Sequence, residues 1–171
     1  MRFLQRVLLA TLVTSVVAAS PVAGQASQDT REIGDFVLVT AKDPIDDSNR
    51  SYILTYADDD SGGALTWRCM ADGLNVVLNL GKYFAGDEDN DIVVITRLDS
   101  DPNSGEVYWR LLQGNTSSFM PTELLEAFTE RARTASTLAV RAIDPFDDET
   151  LTFIFPIEGV SEALAALLPC E

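Results

Sequence analysis

The chain has 171 residues, of which 12 are basic and 27 acidic, so its formal net charge is −15 at pH 7. Nucleic acids and anionic membrane surfaces are bound through basic patches, so this composition argues against both as ligands. The chain contains no histidine, which excludes Ser-His-Asp and Cys-His catalysis and most zinc sites.

Residues 1–26 have the pattern of a secretory signal peptide. Two arginines precede an uncharged stretch at residues 7–19, and small residues follow it. This pattern predicts cleavage after Ala26 or after Gly24. An uncleaved membrane anchor is the alternative, but a membrane span needs about 20 apolar residues. We therefore expect residues 27–171 to form one domain, periplasmic or secreted, with no transmembrane segment.

The exported part is predicted to consist mainly of β-strands. We expect the polar residues 27–33 to be frayed. The segments after them are alternating, β-branched or aromatic, and they are separated by turn formers such as Asp, Asn, Gly and Pro. The predicted strands are residues 35–41, 50–57, 64–70, 74–80, 91–98, 106–112, a short strand ending at Phe119, and residues 137–143 and 150–157.

Two segments in the C-terminal half have helical spacing instead. Pro121 suits the first position of a helix, and the apolar residues Leu124, Phe128 and Ala132 follow at helical intervals. Residues 160–168 are predicted to form a second, closing helix that packs over the sheet. The predicted fold is therefore α+β, mostly antiparallel β, arranged either as a sandwich or as one curved sheet.

The two cysteines, Cys69 and Cys170, are expected to form one disulfide. Exported proteins enter an oxidising compartment, where two cysteines usually pair, and the chain lacks the C-x-x-C spacing of a redox pair. Two free thiols are the alternative. Strand alternation puts Cys69 on the same face as Leu65 and Trp67, and it puts Arg68 on the opposite face. The disulfide would tie the closing helix to the sheet and leave Arg68 available for function.

Catalytic motifs are missing from the sequence. It contains neither G-x-S-x-G nor G-x-x-x-x-G-K-[ST]. Asp87, Asp89 and Asp91 alternate like the start of an EF-hand loop, but the sixth position is Ile92 instead of Gly and the twelfth is Leu98 instead of Glu. We interpret these residues as a solvated acidic turn, with a loose Ca²⁺ site as the alternative. A glycosidase would need two carboxylates that face each other across a cleft. Because the sequence has 27 acidic residues, it does not identify any particular pair.

Four of the few basic residues fall inside predicted strands, and they form the candidate binding patch: Arg68, Arg97, Arg110 and Arg141. One interpretation is that they form cross-strand ion pairs on the wet face of a sheet. The other is that some of them share a face and bind an acidic group.

The order of several segments resembles the VasI family, also called TagO, whose members are exported proteins associated with the bacterial type VI secretion system. These segments are LTWRC, DGLNVVLNLG, ITRLD, VYWRLL, SFMP and TLAVRAIDPFDDETLTFIFPIEGVSEAL, followed by the last cysteine. The likeness covers about residues 43–170. The matching residues are Asp46, Asp47, Ser48, Arg68, Cys69, Arg97, Asp99, Trp109, Arg141, Phe155 and Cys170.

The resemblance implies an accessory role in the periplasm without enzymatic activity. We therefore expect an exported, non-catalytic accessory or binding protein, associated with a type VI secretion system and a protein partner in the cell envelope. No cofactor and no metal ion are expected. Two alternatives stay open: a cell-envelope hydrolase that uses Asp and Glu carboxylates, and an acidic domain that binds its ligand through Ca²⁺.

Overall fold

A computed structural model describes residues 29–59 and 61–170, so the signal predicted for residues 1–26 lies outside the described residues. The strands are β1 (Asp29–Ile33), β2 (Phe36–Thr40), β3 (Tyr52–Tyr56), β4 (Ala64–Met70), β5 (Gly73–Asn79), β6 (Asp91–Leu98), β7 (Val107–Leu111), β8 (Ser117–Phe119), β9 (Thr137–Ile143) and β10 (Thr150–Pro156). The helices are α1 (Thr122–Ala132) and α2 (Val160–Leu167). None of the helices in this part of the chain has the length and apolarity that crossing a membrane requires.

Hydrogen bonds join the strands into a single antiparallel sheet with the order β1-β2-β3-β4-β5-β8-β7-β6-β9-β10. The prediction of a mostly antiparallel fold with two short helices in its C-terminal half is confirmed. The sheet curves until its last strand approaches its third. The Thr55 hydroxyl donates to the Pro156 carbonyl at 2.9 Å, and the Asp58 N–H donates to the Ile154 carbonyl at 2.9 Å. This curvature encloses the core on the concave face.

Trp67 lies at the centre of that core. Its neighbours in β4 alternate in burial, with Leu65 and Cys69 buried on the same face. The Trp67 ring is stacked on Phe128 of α1 at 5.9 Å between centroids, and its Nε1 donates to the Thr129 hydroxyl at 3.1 Å. A buried indole needs such a partner for its N–H. Helix α1 is therefore fixed to β4 by both an apolar and a polar contact.

The closing helix α2 covers the first four strands on the concave face. Its buried residues, Val160, Ala163, Leu164 and Leu167, follow helical spacing. After α2, Cys170 forms a disulfide with Cys69, with 5.0 Å between their Cα atoms. Both the predicted disulfide and the packing of the closing helix on the sheet are confirmed.

The prediction that residues 27–33 are frayed is wrong for Asp29–Ile33, which form β1 and pair with β2. The turn after β1 is held from outside, because Asp35 exchanges two hydrogen bonds with Glu158: its N–H donates at 3.0 Å and its carboxylate accepts at 2.8 Å. Ile33 is buried beneath this turn. A polar strand suits this position, since β1 is at the edge of the sheet, where polar side chains discourage pairing with other chains.

Gly34 is required in the β1–β2 turn. Its φ is +57°, and a Cβ atom there would lie 2.3 Å from the Glu158 carbonyl oxygen. Left-handed backbone costs a non-glycine residue about 1–2 kcal/mol, and the collision adds to this. We expect Gly34→Ala to lower the melting temperature more than Gly105→Ala, because Gly105 has φ +74° but open space around it. Equal losses in the two variants would contradict the close packing of this turn.

One turn occurs twice in the chain, between β2 and β3 and between β9 and β10. Each copy has the sequence D-P-apolar-D-D, at residues 43–47 and 144–148. The first carboxylate accepts the N–H of the apolar residue, at 2.9 Å from Ile45 and at 3.0 Å from Phe146. The fifth residue has a left-handed φ in both copies, 59° for Asp47 and 60° for Asp148. The apolar tips are exposed, Ile45 by 91% and Phe146 by 77%.

The two copies differ in how deeply their first aspartate is buried. Asp144 is only 2% exposed, and it also accepts the backbone N–H groups of Ala85 and Gly86. Asp43 is partly exposed and pairs with Arg50 instead. Asp144 therefore anchors the loop between β5 and β6, whereas Asp43 closes only its own turn.

Candidate functional site

The four candidate arginines all lie on the convex face of the sheet. Residues that are directly opposite in neighbouring strands share a face, and the register pairs Arg68 with Asn75, Arg110 with Asp91, and Arg141 with Ile95. Arg97 follows Ile95 by two residues and therefore shares its face. The convex face is turned away from the core, so these side chains can meet solvent or a partner.

Two of the four arginines are brought together. Arg97 in β6 and Arg141 in β9 line one shallow groove of about 230 Å³, which we call the arginine groove. Its walls and floor are formed by Ile95, Thr96, Arg97, Asn103, Ala139, Arg141, Thr152 and Ile154. The groove thus combines two guanidinium groups with an apolar floor. This combination suits a ligand that has both carboxylates and an apolar side chain.

Neither groove arginine has a carboxylate partner among the described residues. The ion pairs there are Arg50–Asp43, Lys82–Glu149, Arg110–Asp91, Arg131–Asp101 and Arg133–Glu130. Arg97 and Arg141 occupy diagonal positions on adjacent strands, where side chains are about 7–8 Å apart. Like charges at this separation repel each other, and a carboxylate between them would accept charge-assisted hydrogen bonds from both.

Arg110 belongs to a different environment. It forms a cross-strand ion pair with Asp91, and the hydrogen bond and charge of Asp91 raise the pKa of the Arg110 guanidinium, helped by the charges of Asp89 and Asp87. For Arg110, the first of the two interpretations, a cross-strand ion pair on the wet face of the sheet, therefore applies. Its charge is already matched by neighbouring acids.

Arg68 stands apart from the other three arginines. It lies between Tyr52 of β3 and Asn75 of β5 and is half-buried. Its Nε atom is buried and has no hydrogen-bond partner within residues 29–59 and 61–170. The structure therefore does not join Arg68 to the arginine groove, although sequence reasoning put the four residues in one patch.

Most of the residues that match the VasI family have a structural position outside the groove. Trp109 and Phe155 are buried in the core. Asp46 and Asp47 belong to the first D-P-apolar-D-D turn, and the Ser48 N–H donates to the Asp46 carboxylate at 3.0 Å. Trp109 and Phe155 are therefore core residues, whereas Asp46 and Asp47 form part of a turn and Ser48 follows it.

Asp99 joins the end of β6 to the start of β9. Its carboxylate accepts the Thr137 N–H at 2.8 Å and the Thr137 hydroxyl at 3.0 Å, and it also accepts the Ser136 N–H. The bonds from Thr137 lower the pKa of Asp99 below its ordinary value. Asp99 thereby fixes β9 beside β6 and so helps to position both arginines of the groove.

The acidic turn at residues 87–91 closes on itself. The Asp87 carboxylate accepts the N–H groups of Asp89 and Asp91, at 3.0 Å and 2.9 Å. The carboxylate of Asp91 points to Arg110. Within the described residues, no group of three or more His, Cys, Asp or Glu side chains is arranged to hold a metal ion. The Ca²⁺ alternative therefore has no preformed set of ligands here.

A second concavity, which sequence analysis missed, opens where β8 ends. This strand has three residues, whereas its neighbours β5 and β7 have seven and five, so the sheet has a gap where the chain leaves it to enter α1. We call this gap the cleft. It measures about 420 Å³ and is lined by Met70, Asp72, Asn75, Asp91, Tyr108, Arg110, Phe119, Met120, Pro121, Thr122 and Glu123.

Neither protein-family models nor curated proteins match the chain. Among solved structures, it is similar to the crystal structure of invasion associated protein b from Bartonella henselae, with a TM-score of 0.55. The alignment covers 81% of this chain and 93% of that chain, with 13% sequence identity. At 13% identity, this similarity shows that the two chains have a common fold and nothing more.

Proposed function

We propose that this chain is an exported, non-catalytic binding protein that holds an acidic segment of a protein partner in the cell envelope. The observation that carries this proposal is the arginine groove. In a chain with 27 acidic residues, two exposed arginines lie side by side without a carboxylate partner among the described residues. Of the other two strand arginines on this face, Arg110 is paired with an acid, and Arg68 is half-buried between β3 and β5.

The size of the groove favours a peptide segment as its ligand. At about 230 Å³ it is smaller than the usual range for small-molecule sites, which is about 300–1,000 Å³. It spans β6, β9 and β10, and β10 is the last strand of the sheet. An extended segment could place a carboxylate between Arg97 and Arg141 and an apolar side chain on Ile154. Export is supported by the signal-like residues 1–26 and by the disulfide, which persists in oxidising compartments.

Association with a type VI secretion system is part of the proposal and rests on the resemblance to the VasI family. Sheath, tube and membrane-complex genes beside the gene for this chain would support it. In a host that carries such a locus, we expect deletion of this gene to lower type VI secretion and the wild-type gene to restore it. Normal secretion after deletion would overturn this part of the proposal and leave the binding activity of the groove to be judged separately.

Photo-crosslinking in the native periplasm tests the groove as the contact with the partner. A photoreactive residue at Thr152, which lines the groove, should give a discrete adduct, and a probe at the exposed Tyr83 should not. We expect the double variant Arg97→Gln and Arg141→Gln to lose the adduct while keeping the wild-type melting temperature. An adduct that persists in this variant would contradict the proposal.

A further inference from the structure

The cleft has the size and position of a small-molecule site. Its volume of about 420 Å³ falls within the usual range of about 300–1,000 Å³. Its walls are regular elements, because one side is the β4–β5 hairpin with Met70 and Asn75 and the other is the start of α1 with Thr122. A site on helices and strands holds its side chains in place more accurately than a site on loops.

Two hydrogen-bonded pairs of planar side chains face the cleft. The Asn75 amide donates to the Asp72 carboxylate at 2.9 Å, and the Arg110 guanidinium is paired with Asp91. Each pair fixes the orientation of its members and leaves further acceptor lone pairs and N–H donors. A sugar hydroxyl both donates and accepts hydrogen bonds. The adjacent hydroxyls of a sugar ring can therefore bond to the carboxylate acceptors and the N–H donors of these pairs at the same time.

The cleft also has an aromatic wall. Tyr108 is 57% exposed, and Phe119 is half-buried beside it, with Met120 continuing the apolar surface. An exposed tyrosine ring offers a large apolar contact area and loses little conformational entropy on binding. The C–H face of a sugar ring can lie against such a ring while its hydroxyls reach the polar pairs.

The charge of the cleft selects against acidic ligands. Asp72, Asp91 and Glu123 outnumber the single cation, Arg110, which is already paired. An anionic sugar would be repelled, whereas a neutral one meets no such penalty. We infer that the cleft binds a neutral saccharide. This site is separate from the arginine groove and does not depend on the function proposed for it.

Titration calorimetry of the whole exported domain tests the inference. Two probes are neutral trisaccharides, the trimer of N-acetylglucosamine and the α-1,4-linked trimer of glucose (maltotriose). The third probe is the anionic trimer of galacturonic acid. We expect saturable binding of a neutral trimer at millimolar concentrations, independent of salt, and none of the anionic trimer. Tyr108→Ala should weaken this binding by about tenfold or more, as expected for the loss of one stacked ring.

Two variants serve as matched controls. Tyr83→Ala removes a tyrosine that is equally exposed, by 62%, but lies outside the cleft, and it should bind like the wild type. The variant that lacks Arg97 and Arg141 should also bind the saccharide normally, which separates this site from the groove. Failure of the folded wild type to bind either neutral trimer would overturn the inference, as would unchanged binding by Tyr108→Ala. Release of new reducing ends would support the saccharide site and overturn the non-catalytic proposal.

Discussion

Replacing both Cys69 and Cys170 with serine is expected to lower the free energy of unfolding by about 4–5 kcal/mol. The disulfide joins residues 101 positions apart, so its loss frees this long loop in the unfolded state, and the chain-entropy estimate for such a loop has this size. Chemical denaturation of the oxidised wild type and of the double variant measures the difference. Since small domains have only about 5–15 kcal/mol of stability, this loss is large.

Reduction provides the control for this experiment. Wild type in excess dithiothreitol should unfold at the same denaturant concentration as the double serine variant, and the variant should not respond to the reductant. The loss of stability should appear first at α2, because the disulfide attaches the C-terminal end of this helix to β4. Hydrogen exchange at Leu164 and Leu167 reports this. A double variant as stable as the oxidised wild type would show that the disulfide contributes nothing to the fold.

Asp144→Ala is expected to lower the free energy of unfolding by about 2–4 kcal/mol. The variant leaves the N–H groups of Ala85, Gly86 and Phe146 without their acceptor, and a buried donor without a partner costs about 1–3 kcal/mol. Some of these N–H groups will bond to water after the loop opens. The total loss of stability is therefore smaller than the sum of the costs of three buried donors without partners. Thermal unfolding measures the loss, and hydrogen exchange at Ala85 and Gly86 locates it.

The repeated turn supplies the matched control for Asp144. Asp43 holds the same place in the other copy and accepts the same local bond, from the Ile45 N–H, but it anchors no second loop. Asp43→Ala should therefore cost clearly less than Asp144→Ala. Equal losses would mean that the bonds to residues 85 and 86 do not contribute to stability.

Local sequence signals were sufficient where both ends of a strand are marked by turn formers. Ala64–Met70, Asp91–Leu98 and Thr137–Ile143 have the bounds that the alternation predicted. In Ala64–Met70 and Thr137–Ile143, period-two burial identifies the inner face, which is why Cys69 and Arg68 could be assigned to opposite sides. Asp91–Leu98 departs from this pattern, because Ile92, Val93 and Val94 are all buried. β1 was missed because its residues are polar and because the turn after it is bonded to Glu158, which lies 123 positions after Asp35.

The arrangement of the candidate site could not be derived from the sequence. Alternation assigns each arginine to one side of its own strand, but which arginines share a face and are neighbours depends on the order and register of the strands. Arg97 and Arg141 meet because β9 pairs with β6 after the chain has formed β7, β8 and α1. The cleft depends equally on the sheet, since a three-residue strand matters only between longer neighbours. The repeated D-P-apolar-D-D turn was not identified from the sequence, and the burial of Asp144 depends on its contacts with residues 85 and 86, which are distant in the sequence.

Fluorescence anisotropy with a labelled peptide of alternating Leu and Asp tests whether the arginine groove binds an acidic segment. The wild type should bind the peptide at about 0.15 M salt, where a Debye length of about 8 Å screens the distant acidic residues of the chain, and its affinity should fall as salt rises to about 1 M, where the Debye length is about 3 Å. Arg97→Gln with Arg141→Gln should weaken binding about tenfold or more at about 0.15 M salt.

Arg131→Gln with Arg133→Gln is the matched control, because it removes the same charge from two arginines that are already paired with acids, Arg131 in α1 and Arg133 directly after it. We expect this control to bind the peptide like the wild type and the groove variant to bind it about tenfold or more weakly. Equal affinity of the groove variant and the control for the peptide would show that Arg97 and Arg141 do not form the binding site.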